Sequence, residues 1–124
     1  MKSGFSVFSN ERLTIWSTMV KKQHHLLWSG ECDFRNPADV LTPALTAYAD
    51  KLTDGPLVLD FRGLLFMNSS SVTPILSFVK KLCQRGIPVH LIYNADVSWQ
   101  RITASSMRAI ANALKNLTVA LEKP

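Results

Sequence analysis

Residues 57–83 read LVLDFRGLLFMNSSSVTPILSFVKKLC, and their pattern decides the fold. Leu57, Val58 and Leu59 form a short continuous apolar run after Gly55-Pro56, as a buried strand of a parallel or mixed sheet does. A polar loop follows, with three consecutive hydroxyls at Ser69, Ser70 and Ser71. Val72, Ile75, Leu76, Val79 and Leu82 then recur at helical spacing, with Lys80 and Lys81 on the other face and Gly86 as the stop. A strand therefore runs into a helix, and the serines sit at the helix N-terminus. Unpaired N–H groups and a partial positive charge there accommodate a hydroxyl or a phosphate. Pro74 lacks an N–H, which starts regular helical hydrogen bonding near Ser71. Ser71 or Ser70 is the expected cap, and Ser69 lies in the loop just ahead.

On the N-terminal side, Phe5 to Phe8 alternates as a weak edge strand, and Leu13, Ile15 and Ser17 to Val20 suggest a second extended segment. His24-His25-Leu26-Leu27-Trp28 reads as a strand, with Gly30 as its bulge or end. Adjacent strand residues face opposite ways, so His24 and His25 do not share one ligand, and they read as structural or surface side chains. Asn36 is the expected cap of a first helix, with Pro37 at its first position and Val40, Leu41, Ala44, Leu45, Tyr48 and Leu52 on one face. Pro43 predicts a late start or a kink. On the C-terminal side, residues 87–93 form another strand, parallel to the one at Leu57 through a helical crossover. Trp99, Ile102, Ser106 (or Met107), Ile110 and Leu114 mark a third helix, capped by Asp96 or Ser98 and ended at Asn116. Residues 117–121 are the last strand. The expected fold is α/β, with one mixed sheet of four to six strands and three to four helices. One domain spans all 124 residues, the first ten of them a weak edge strand or flexible.

At 47% apolar and 19% charged, the composition is that of a globular domain rather than a disordered chain. No apolar run reaches membrane-spanning length and the N-terminus has no signal-like core, which predicts a cytoplasmic protein without membrane insertion. Cys32 and Cys83 fit no metal spacing and read as core or boundary thiols. The net charge of +5 comes from basic residues spread along the chain, without a nucleic-acid-binding motif, so a solvated surface facing an acidic protein is the expected reading. Nucleophile-elbow, phosphate-loop and dinucleotide motifs are absent and carboxylates are scarce; neither catalytic nor metal-binding residues are expected, nor a cofactor. On the residues alone, the serines serve most simply as helix caps.

The run Leu-Val-Leu-Asp-Phe followed by Phe66-Met67-Asn68-Ser69-Ser70 resembles the signature of STAS domains of the anti-sigma factor antagonist type. That loop usually reads Asp-Ser-Ser-Gly; here Asn68 replaces Asp and Ser71 replaces Gly. A bacterial branch of partner-switching regulators carries a similar Asn-Ser-Ser loop and a Trp-Gln like Trp99-Gln100. The resemblance implies that Ser69 is a phosphorylation site, with Ser70 and Ser71 as alternatives. It implies a GHKL-type serine kinase that the unmodified protein binds, and a PP2C-type phosphatase. Met67, Asn68, Ser69, Ser70, Ser71, Val72 and Thr73, with Asn36 and Asp39 alongside, would form the docking face. Trp99 is either core or a partner anchor, and a homodimer through an edge strand is compatible with the pattern. The other reading is a non-switching structural subunit, such as the STAS component of a lipid-transport ATPase.

Overall fold

The structure is a computed structural model that describes residues 4–123; the first three of the ten residues expected to be an edge strand or flexible lie outside it. Its elements are β1 (Gly4–Ser9), β2 (Leu13–Val20), β3 (Gln23–Cys32), α1 (Pro37–Lys51), β4 (Leu57–Met67), α2 (Val72–Gln84), β5 (Val89–Asn94), α3 (Ser98–Ala111) and β6 (Leu117–Glu122). The six strands form one mixed sheet in sequence order. β1, β2 and β3 are antiparallel neighbours, and β3 to β6 run parallel. Each parallel connection carries one helix, as a crossover needs. The α/β expectation holds, with six strands and three α-helices.

Leu57, Leu59, Phe61, Leu91 and Tyr93 face the helices and share one core with Leu41, Leu45, Ile75, Val79 and Met107. The alternate residues line an open face, where His25, Val58 and His90 stand in one row and Leu27, Asp60 and Ile92 in the next. His24 points the other way, 3.7 Å from the Asp54 carboxylate. Burial favours a neutral Asp60, but hydrogen bonds of 2.8 and 3.0 Å from the Arg62 guanidinium outweigh it and hold the carboxyl below its ordinary range. Among the described residues, no helix is long and apolar enough to cross a membrane.

Several local expectations change. The central strand does not stop after three residues: β4 runs for 11, through Arg62 and Gly63 to Met67. α1 starts at Pro37 without delay and passes Pro43, which lies on its exposed side. Asn36 holds the cap position of α1, but its side chain makes no capping bond; its carbonyl accepts the Asp39 N–H at 3.0 Å instead. Val97, and neither Asp96 nor Ser98, precedes α3, which ends at Ala111 rather than at Asn116. Ile102 turns outward and is 69% exposed, because Gln100, Ala104 and Met107 hold the inner face of α3.

Gly30 is the expected bulge, and β3 continues two residues past it. Its φ is +96°, and a Cβ there would overlap the Arg12 carbonyl oxygen. Gly30→Ala should therefore cost about 2 kcal/mol or more, read as a lower urea midpoint at unchanged slope.

Candidate functional site

β4 outruns its neighbour. It pairs with β5 only over residues 57–60, while β3 follows it to Met67. Beyond residue 60 the β5 side of β4 has no strand, and buried carbonyls there need donors. Side chains from the end of β5 and the first turn of α3 supply them. The Gln100 carboxamide donates to Phe61 O at 3.0 Å and to Leu64 O at 2.9 Å, and its oxygen accepts the Asn94 N–H at 2.7 Å. Trp99 Nε1 donates to Leu65 O at 3.0 Å, and Asn94 Nδ2 to Arg62 O at 3.4 Å. Gln100 is fully buried with all its hydrogen-bonding groups engaged. Trp99 is half-buried: its ring rests on the core and its N–H fixes β4, so it serves packing and placement together.

The loop after β4 is fixed on its other side. Asn68 N–H donates to Cys32 O at 3.0 Å, carrying the strand ladder one residue further. Asn68 Nδ2 donates to Phe34 O at 2.8 Å, while Asn68 Oδ1 accepts the Ser71 hydroxyl at 2.5 Å. Burial pushes the Cys32 thiol up, so it stays protonated and donates to Ser71 Oγ at 3.2 Å. The relay from Cys32 through Ser71 and Asn68 to Phe34 O ties β3 to the entrance of α2. Ser69–Ser71 forms a single 3-10 turn, closed by the Ser71 N–H on Asn68 O at 3.1 Å.

This geometry separates the three serines. Ser71 is completely buried and makes no side-chain cap, so its expected roles as cap, alternative acceptor and partner contact do not fit this conformation. Ser70 is no cap either; it and Ser69 are exposed. Met67 and Val72 are half-buried and line a small internal gap beside Phe61 and Met107, so they pack inward more than they face a partner. Asn36, Asp39, Ser70 and Thr73 do come together, lining with Arg35 and Ser77 an open groove of about 580 Å³ between the starts of α1 and α2. Ser69 stands outside this groove.

Leu65 at 72% exposure, Phe66 at 44% and Ile102 were missed as candidate site residues. The signal was present in the four-residue apolar run 64–67, too long for strict alternation on a half-buried strand. No protein-family model matches the chain, and a search of curated proteins returns no significant match.

The relay explains a neutral amide at residue 68, because a carboxylate can accept from Ser71 but cannot donate to Phe34 O. Asn68→Asp should cost about 1–3 kcal/mol at neutral pH. The cost should shrink as pH falls towards about 4, because a protonated carboxyl can again donate. Urea midpoints measured across pH would read both effects. Gln100→Leu, which orphans Phe61 O, Leu64 O and the Asn94 N–H, should cost about 2–4 kcal/mol in the same assay.

Proposed function

We propose that this domain is a non-enzymatic protein-interaction switch of the anti-sigma factor antagonist type, with Ser69 as its reversible phosphorylation site. The observation that carries the reading is the exposure of Ser69 and Ser70 on a loop clamped from both flanks, next to outward-facing Leu65 and Phe66. A kinase needs an accessible hydroxyl on a defined backbone, and a docking partner needs exposed apolar area beside it. The STAS-like reading of residues 57–71 adds the partner classes: a GHKL-type serine kinase that carries the ATP, and a PP2C-type phosphatase. This chain contributes no catalytic group and no cofactor to that exchange.

Phosphate adds about −1.5 to −2 charge at neutral pH. At Ser69 that charge lies outside the relay, so the fold should survive modification. In a desolvated contact, an unmatched charge commonly costs about 2–5 kcal/mol, enough to change the partner from bound to free. Ser69→Asp should abolish capture of the kinase from host extract and from a reconstituted mixture, and Ser69→Ala should bind constitutively. Equal binding by both variants contradicts the switch and favours the permanent structural subunit.

A further inference from the structure

The helices and the four parallel strands sort the charge along the molecule. β3 to β6 all begin at one end of the sheet, where β2 turns into β3 and where α1, α2 and α3 finish. Lys21 and Lys22 form that turn, Lys80 and Lys81 stand near the end of α2, and Arg108 and Lys115 mark the end of α3 and the segment after it. All six are exposed, and none is in an ion pair among the described residues. Lys51 and Arg85 share this end, the first over the Phe5 ring at 5.9 Å and the second bonded to Ala49 O and Leu52 O. Among the described residues only Asp50 and Asp54 oppose these eight cations at this end, and the remaining described residues hold more carboxylates than cations. Residues spread along the sequence thus become one basic end, opposite the serine loop.

Cations complement the negative C-terminal ends of helices, and that accounts for Lys81 and Arg108. It does not account for the β2–β3 hairpin. Lys21 at φ 51° and Lys22 at φ 67° are consecutive left-handed residues in a two-residue turn, where Asn-Gly is the favoured pair. Two lysines are a poor choice for the backbone, and local rules are most often broken where function demands it. Just before them, Met19 is 48% and Val20 43% exposed, and Phe5 at the same end is 48% exposed.

We propose that this end docks on the surface of an anionic lipid bilayer, with the hairpin tip entering the headgroup layer. Basic side chains meet the lipid phosphates, while Met19 and Val20 reach the acyl boundary. A nucleic acid would satisfy the lysines but would leave Met19 and Val20 without an apolar medium, which decides between the two polyanions. Bound in this way, the domain would hold its serine loop away from the membrane, open to the cytosolic side.

The test is co-sedimentation of the full chain with vesicles of phosphatidylcholine alone or with one third phosphatidylglycerol. Binding is expected only to the anionic vesicles, and it should weaken as salt rises. Lys21→Asn with Lys22→Gly removes two charges and suits the turn, so the fold is kept while affinity falls about thirtyfold. Met19→Ser with Val20→Thr should weaken binding without altering charge, whereas Arg101→Gln at the opposite end should leave it unchanged. Equal binding to neutral vesicles, no binding to anionic ones, or insensitivity to the turn variant overturns the proposal. A duplex oligonucleotide that binds more tightly than the anionic vesicles in the same buffer also overturns it, in favour of nucleic acid.

Discussion

The placement of the serine loop depends on one buried carboxamide. β4 and β5 part after four paired residues, and the seven further residues of β4 would leave polar backbone facing the core. Gln100, with no exposed surface, stands in for the missing strand by donating twice to β4 and accepting once from β5. Its neighbour Trp99 extends the same support by one carbonyl. α3 is thereby more than a cover for the sheet. Its first turn determines where β4 ends, and with it where Leu65, Phe66 and the loop reach solvent.

From the other flank, the Cys32–Ser71–Asn68 relay fixes the loop against β3. Asn68 donates to Phe34 O and accepts from Ser71, which gives a physical reason for an amide where a carboxylate would fail. The result is a hydrogen-bonded support that presents two exposed groups, the Ser69 and Ser70 hydroxyls. Such an arrangement suits a site read by another protein, since little ordering is left to do on binding.

Much of the fold was readable from periodicity. The runs at Leu57, Ile87 and Leu117 are strands because each is apolar and preceded by turn residues, and α2 between the first two keeps its expected spacing at Ile75, Val79 and Leu82. The length of β4 was hidden because Arg62 and Gly63 interrupt the apolar run, and Arg62 is accommodated on the open face by its pairing with Asp60. Gln100 was hidden for a related reason: pattern reading assigns a polar residue to the surface, and only unpaired backbone makes a buried amide favourable. A 3.6-residue phase that starts at Trp99 turns Ile102 inward, whereas the inner face of α3 is centred on Gln100 and Ala104. Ser71 turns sideways to Asn68 instead of capping the helix, a choice that depends on a strand 39 residues earlier. Charge sorting was invisible for the same topological reason, since it exists only once helix ends and strand starts are gathered at one end.

The two ends of the domain then have distinct physics: one nearly balanced in charge and carrying a clamped pair of hydroxyls, the other basic with apolar tips. The central claim concerns the first. It is tested most directly by the intact mass of the protein isolated from its own host, followed by peptide fragmentation to locate any added phosphate. The account predicts phosphate on Ser69 in at least one growth condition and none on the buried Ser71. Protein that remains unmodified in every condition, with its partner bound throughout, would contradict it.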